Sequence, residues 1–521
     1  MAETTLPSLP DGWQPGAAVA VRPLVPALAF AGFAGAATIF FATQMWHGTF
    51  TEDFAWLLRT GQIILAQRHL PAGDPFSWTA ADKPLVLYQW LFMVLAAGLE
   101  RLVGLKGLFV LHVAVAAAIY LLAPALGAVP RRVPPAFSIV IGALALAIVT
   151  VNFSLRPMIV TSALLMAQYA LIQSLRRREL SFLWVSCLVA VLYGTWANLH
   201  NGFVLGLVSL AVFAVGDLVE RCGFYVFAPE DPSIEGRPLT VAHYLPVAAV
   251  AFAASLANPY GFGLYTHLAA FSSQPYLSSV IQELHSPDFH LGQFRWFMLL
   301  IGGFALLMMR GRRAFAAADI LHLAVFTLAT LGCARFVVWA VVFYGLILPR
   351  ALHHAWTARP GLRADLTALL FGTAMATRRA ALGGVVAAVF GIGIWVAGAQ
   401  SLPGDPCDAI APALAAYGTS VPSGPRPFMG PEAGSCAIAK APDVKVFIDT
   451  RFDFYGDELA ADAIKTLLLA PHWKETLQRW QVDRLIVEKR WPLAQALAID
   501  PDFRIVYDDA TAVIAQPVER P

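Results

Sequence analysis

Apolar residues run through this chain in long unbroken stretches, and polar residues collect in short segments between them. Stretches of about 17 to 22 residues, each long enough to cross ~30 Å of hydrocarbon as a helix, recur near 24–45, 106–127, 136–154, 158–175, 181–197, 202–219, 241–257, 295–310, 317–334, 336–350 and 381–400. The pattern predicts about eleven transmembrane helices. A further candidate, Leu87 to Gly104, decides the topology, because counting it as a span reverses every later helix. With that stretch lying along the surface, Arg131-Arg132, Arg176-Arg177-Arg178, Arg310-Gly311-Arg312-Arg313 and Arg378-Arg379 all fall on one side, which the positive-inside rule makes cytoplasmic. Residues 87–104 are therefore expected to form an interfacial amphipathic helix on the outer face. Glu100 and Arg101 would turn to water, and Trp90, Leu91 and Phe92 would lie in the headgroup zone.

This division predicts a cytoplasmic N-terminal segment (1–23), a membrane domain (24–400) with a long first outer loop (46–105), and an extracytoplasmic tail (401–521). The tail has a different pattern: short apolar runs separated by Pro, Gly and charged residues. It predicts strands at Val444 to Ile448, Val482 to Glu488, Phe503 to Tyr507 and Thr511 to Ala515, with helices near Glu458 to Leu469 and Pro492 to Ile499. The fold class is a polytopic α-helical membrane protein with a small C-terminal α/β domain.

Composition agrees: 58% of the 521 residues are hydrophobic, 13% are charged and the mean hydropathy is +0.63. That is well above the roughly 45–50% apolar content of soluble domains. A net charge of +2 implies no nucleic-acid partner. The first apolar run follows a Pro-containing segment with only Arg22 close by and no convincing cleavage site, so it reads as a retained helix. Of the five cysteines, Cys407 and Cys436 lie in the tail. They could form a disulfide in an oxidising compartment or remain two buried thiols.

The candidate chemistry gathers at the outward ends of the predicted helices. Glu52-Asp53 and Asp74 lie in the first loop, Arg156-Pro157 in the next outer turn, and Asn198, His200 and Asn201 in the one after. Asn258-Pro259-Tyr260-Gly261, the Glu283 to His290 stretch and Arg335 complete the set. Inner turns carry mostly Arg and little else that is polar. Carboxylates beside hydrocarbon are costly and usually face water, a partner or a substrate. A lipid-linked sugar phosphate suits such a surface: Arg335 and Arg156 could hold the phosphate, and Asp53 could take the acceptor's proton. Plainer roles compete. Arginines at helix ends also snorkel to headgroups, Glu52 or Asp53 could be an N-cap, and Asn198 and His200 could simply close helix ends. No Asp-x-Asp motif occurs in the first loop, and no Gly-rich phosphate loop is present. No metal or other cofactor is expected, although Glu283, His285, Asp288 and His290 could supply ligands in principle.

The pattern resembles the GT-C superfamily of membrane glycosyltransferases, to which protein O-mannosyltransferases and the lipid A aminoarabinose transferase belong. It is most similar to a bacterial, largely uncharacterised group. The matching residues are Asp53-Phe54-x-Trp56-Leu57-x-x-x-Gly61-x-Ile63-x-Leu65, Pro71-x-x-Asp74-x-Phe76-Ser77, Trp90-Leu91, Arg156-Pro157, Trp196-x-Asn198-x-His200, Asn258-Pro259-Tyr260-Gly261, Glu283, and the tail motif Asp449-Thr450-Arg451-x-Asp453-x-Tyr455-Gly456. Asn201 and Leu284 depart from the group, which usually has Gly and Trp there. The resemblance implies a polyprenyl-phosphate sugar donor and a glycan, lipid or protein acceptor. It also implies a bacterial inner-membrane location with a periplasmic tail, and Asp53 as catalytic base beside Glu52. Asp74, Arg156, Asn198, His200, Asn258, Tyr260, Glu283 and Arg335 would bind substrate. Asp449, Arg451, Asp453 and Tyr455 would form either a ligand site in the tail or an internal salt bridge that fixes the turn. Two other classes stay open: a transporter or lipid flippase, disfavoured by the absence of mid-span charges and internal repeats, and a non-catalytic cell-envelope scaffold.

Overall fold

The computed structural model describes residues 35–36, 39–42, 51–128, 135–150, 154–225, 236–311, 315–357, 405–418 and 425–518. Most of the first expected span, all of the last, and the basic clusters Arg131-Arg132, Arg312-Arg313 and Arg378-Arg379 lie outside these residues.

The first loop opens with helix α1 (Glu52–Gln67), whose Phe54, Leu57, Gly61 and Ile64 recur every three or four residues and are buried on one face. Its N-cap is Thr51, so neither Glu52 nor Asp53 fills that position; both sit in the first turn, where carboxylates favour the helix dipole. Next comes α2 (Trp90–Ala128), interrupted at Gly104, whose φ of 68° and ψ of 176° no helix contains. A glycine tolerates this conformation where a side chain would clash. The break separates the expected surface helix from the expected span. The segment before it turns Leu95, Leu102 and Val103 outward, exposed by 49%, 81% and 51%. α1 packs closely on this segment, and a Cβ at Gly61 would collide with the Met93 carbonyl.

The bundle continues with α3 (Pro135–Val149), α4 (Met158–Arg176), α5 (Phe182–Leu199), α6 (Phe203–Arg221) and α7 (Val241–Ser255). Two short helices follow, α8 (Gly263–Ser272) and α9 (Pro275–Val280), and then α10 (Gly292–Gly311), α11 (Ala317–Gly332) and α12 (Val337–Thr357). Among the described residues, six helices are long and apolar enough to cross a membrane, and three further apolar helices are shorter. The chain is a multi-pass membrane protein.

One end of the bundle differs from expectation. Besides arginines it holds two buried acids, Asp217 and Asp319, and the partly buried Glu220. Arg176 pairs with Asp217 at 2.9 Å, Arg350 pairs with Asp319, and Glu220 accepts the Ala317 N–H at 2.6 Å. These acids belong to the last or first turns of helices rather than to the loops, so a reading of the turns overlooked them.

In the tail, β1 (Pro427–Met429), β2 (Arg484–Glu488), β3 (Phe503–Asp508) and β4 (Ala512–Pro517) form a sheet in the order β1-β2-β4-β3. β1 runs parallel to β2, and the other pairs are antiparallel. The expected helices appear at Asp457–Leu467 and Pro492–Ile499. The expected strand Val444 to Ile448 is a correction: it does not join the sheet. Val446 forms an isolated parallel bridge with Ser77 of the first loop, because its free backbone groups find partners there rather than within the tail.

That pairing is part of a larger union. Trp56, Leu57, Ile64, Phe76 and Met93 share one hydrophobic core with Phe428, Phe447, Ile486 and Ile514 of the tail. Trp78 donates to Pro427 O at 3.1 Å, and Trp56, one turn beyond Asp53, donates to Thr450 Oγ1 at 3.2 Å. The segment from α1 to the start of α2 and the tail therefore fold as one body. Within the tail, Cys407 and Cys436 are joined by a disulfide.

Candidate active site

Three turns carry arginine or carboxylate groups to the N-terminal end of α1. Arg156 lies in the turn before α4, Glu283 in a short 3₁₀ turn (Gln282–Leu284), and Arg335 in another (Ala334–Phe336) just before α12. The latter two turns are joined by the Ala334 N–H, which donates to His285 O at 2.8 Å. Arg156 bridges Asp53 at 2.5 Å and Glu283 at 3.1 Å, and Arg335 binds the same Glu283 carboxylate. The four side chains keep 19% to 30% of their surface exposed, so a ligand can reach them while much of the solvent is excluded. Burial alone would raise the Glu283 pKa, but Arg335 and Arg156 outweigh it and hold the carboxyl below its usual range. The Nε–H groups of Arg156 and Arg335 are buried without a hydrogen-bond partner.

Glu52 and Asp53 are adjacent yet diverge. Glu52 lies within electrostatic reach of Glu432 and Arg490 in the tail, whereas Asp53 enters the arginine cluster.

A second group, mostly missed by sequence reasoning, borders this cluster. Tyr88 hydrogen-bonds Asp453 of the tail and feels both Arg335 and Asp53. Burial and then Asp453 push its hydroxyl well above the usual range, so it remains a donor. His267 of α8 lies 3.9 Å from Asp453, with its buried Nε2 unpartnered. Lys83 is lowered by burial, partly offset by Asp453. No motif marked Tyr88, Lys83 or His267, since each stands alone in an unremarkable stretch. The tail's Asp453, by contrast, is part of the quoted motif.

The remaining candidates hold the frame. Asn198 accepts from Trp90 Nε1 at 2.7 Å and donates to Gly194 O and Ala257 O. Asn258 closes its own turn by accepting the Tyr260 N–H, and the Tyr260 hydroxyl accepts from Leu87 N at 2.8 Å. His200 Nδ1 lies 2.7 Å from Thr161 Oγ1, which also accepts from Trp196 Nε1, and Nδ1 takes the Gly202 N–H. Burial, reinforced by Arg335, lowers the His200 pKa to about 3. At neutral pH it is an uncharged strut and cannot hold a phosphate as a cation.

Asp74 lies apart from the cluster, in a sealed network. Its carboxylate receives Arg451 at 2.7 Å and the Ser77 N–H at 2.8 Å. Arg451 also binds Asp449 through Nε at 2.8 Å, with its third nitrogen shared between Asp449 and the Tyr455 hydroxyl. The rings of Trp56, Phe76, Phe454 and Tyr455 surround the guanidinium. Of the two roles open to the tail motif, Asp449, Arg451 and Tyr455 fit the internal salt bridge, whereas Asp453 faces Tyr88 and His267. Among the described residues no three or more His, Cys, Asp or Glu side chains gather as metal ligands. Glu283 is engaged by arginines, and Asp288 by His290 at 2.8 Å.

No protein-family model matches the chain, and no curated protein matches it in sequence. Solved structures do match it in fold. The archaeal oligosaccharyltransferase AglB from Archaeoglobus fulgidus, in complex with an inhibitory peptide and a dolichol-phosphate, aligns with a TM-score of 0.57 at 12% identity. The alignment covers 89% of this chain and 69% of that one. The apo form of an Archaeoglobus fulgidus oligosaccharyltransferase aligns with a TM-score of 0.54 at 12% identity and the same coverage. ArnT from Cupriavidus metallidurans in the apo state covers 93% of this chain and 97% of its own, at a TM-score of 0.47 and 13% identity. The fold is similar to that of the two oligosaccharyltransferase structures.

Proposed function

We propose that the protein transfers a sugar from a polyprenyl-phosphate donor to an acceptor hydroxyl, at the membrane face where the four-residue cluster opens. The observation that carries this reading is the pair of arginines, Arg156 and Arg335, with unused buried Nε–H donors beside a carboxylate and with partly exposed side chains. Buried unpaired donors are costly, and an anionic ligand would satisfy them. The AglB structure of similar fold holds a dolichol-phosphate, a ligand of the kind proposed.

Attack by the acceptor oxygen forms the new glycosidic bond and breaks the bond between the sugar carbon and the phosphate oxygen. The acceptor proton passes to the Asp53 carboxylate. The leaving phosphate gains one negative charge, which the two guanidiniums stabilise more strongly than they stabilise the donor. In the free protein Arg156 neutralises Asp53. When the donor phosphate draws Arg156 toward itself, Asp53 becomes available as a base. The disulfide in the tail supports an oxidising compartment for this face, and with the positive-inside pattern it supports a periplasmic tail and a bacterial inner-membrane location.

The test is transfer of a labelled sugar from a polyprenyl-phosphate donor in membranes containing wild type, Asp53→Asn or Arg335→Gln. Asp53→Asn is expected to lower the rate roughly 10²- to 10⁴-fold, with both variants folded. Undiminished transfer by Asp53→Asn would remove the base assignment, and no transfer from any donor by wild type would favour the scaffold or transporter readings.

A further inference from the structure

A cavity of about 440 Å³ lies at the far end of α1, within the size range of small-molecule sites. Its walls come from Ile64, Leu65 and Leu70, from Trp90 and Val94 on the surface segment of α2, and from Pro259. Arg68 and His69 line it as well. Trp90 is held in place by its bond to Asn198, so the wall is preformed. Arg68 ends α1 in a left-handed conformation with φ of 60°, and its exposed guanidinium makes no ion pair or hydrogen bond among the described residues. The outward Leu95, Leu102 and Val103 on the same α2 segment mark this flank as the one that meets lipid.

We infer that this cavity binds an anionic phospholipid of the surrounding bilayer, with acyl-chain carbons against Leu65, Leu70 and Trp90 and the phosphodiester on Arg68. An apolar cleft with one free cation complements an amphiphile carrying one negative charge. Fifteen residues of α1 separate Arg68 from Asp53, about 22 Å by helical rise. The cavity is therefore distinct from the arginine cluster, and its single guanidinium suits a monoanionic phosphodiester better than the dianionic phosphate of a discharged polyprenyl carrier. Such a lipid would wedge α1 against the surface segment of α2 and hold the loop that presents Asp53.

The test uses full-length protein in phosphatidylcholine vesicles containing a small fraction of diazirine-tailed phosphatidylglycerol, with crosslinks mapped by peptide mass spectrometry. Labelling is expected to concentrate on residues 64–70 and 90–94 and to fall roughly tenfold in Arg68→Gln. Leu65→Trp, which fills the cavity, should abolish it there. A diazirine-tailed phosphatidylcholine should label these peptides no better than Arg68→Gln does. Three results would overturn the inference: equal labelling of Arg68→Gln, equal labelling by the neutral lipid, or loss of labelling when equimolar polyprenyl phosphate is added. The last would assign the cavity to the carrier lipid. Arg68 is exposed, so its variant folds, and Asp53→Asn should label like wild type. Failure of the transfer reading therefore leaves this outcome untouched.

Discussion

Two arginine–carboxylate clusters in this molecule use the same groups to opposite ends. Around Arg451, two aspartates, a tyrosine hydroxyl and four aromatic rings occupy the guanidinium, and its side chain is 3% exposed. Burial opposes the charge, but Asp449, Tyr455 and Asp74 outweigh it and hold the Arg451 pKa well above its usual value. Around Arg156 and Arg335, two carboxylates meet two guanidiniums, each guanidinium keeps an unpaired donor, and the side chains reach solvent. A saturated, sealed network can only hold structure together. An unsaturated, accessible one has capacity left for a ligand. Burial and donor count thus separate a structural role from a functional one where residue type does not.

The contrast can be broken by mutation. Arg451→Met leaves Asp74 and Asp449 buried without their partner, so thermal or denaturant unfolding in detergent should show a loss of roughly 3–5 kcal/mol. Arg156→Met removes two partly exposed ion pairs, to Asp53 and Glu283, and should cost less stability than Arg451→Met, about 1 kcal/mol, while impairing transfer. Equal stability losses in the two variants would erase the distinction. Reduction of the Cys407–Cys436 bond, which closes a sequence separation of 29, should lower stability by about 2–4 kcal/mol. Because it anchors the body built around Arg451, unfolding of the tail, followed by protease cleavage, should be affected more than the helices near Arg156.

Acid sharpens the comparison further. The His200 pKa is about 3 in the fold against about 6.5 unfolded, so below pH 6.5 the unfolded chain binds a proton that the folded chain refuses. Stability should be insensitive to His200 above pH 6.5 and should decline by about 1.4 kcal/mol per unit as pH falls toward 3. His200→Gln should flatten that slope, and an unchanged slope would place the acid sensitivity elsewhere. A further, modest effect concerns the joint between the two clusters. Thr450→Val removes the acceptor of the Trp56 N–H and should cost about 1 kcal/mol, with a several-fold loss of transfer if the tail helps set the position of Asp53. Loss of stability without loss of transfer would uncouple them.

Much of the fold was legible because hydrophobic length and arginine placement report directly on helices in a membrane. The expected helix ends near 158–175, 181–197 and 202–219 lie within a few residues of those observed at Met158–Arg176, Phe182–Leu199 and Phe203–Arg221. Asp53, Arg156, Glu283 and Arg335 were legible as residues of one end of the bundle, since helix order alone brings alternate turns to one side. Their mutual pairing was not, because it depends on how four separate turns approach in three dimensions. Asp74 and Arg451 show the same limit: 377 residues apart, they look like independent motif positions in sequence and prove to be one ion pair.

What the sequence determined by itself was the multi-pass membrane character, the register of most helices, the α/β nature of the tail and the end of the bundle where polar chemistry collects. These follow from local hydrophobicity and charge, which any bilayer imposes on the chain segment by segment. The tertiary structure alone decided that the first loop and the tail share a core, that Val446 pairs with Ser77 rather than with the sheet, that Glu52 and Asp53 part company, and that Asp453, Tyr88 and His267 meet beside the arginine cluster. Each of these rests on contacts between distant segments, whose partners are chosen by packing and by the cost of leaving buried polar groups unpaired, and neither is written in local pattern.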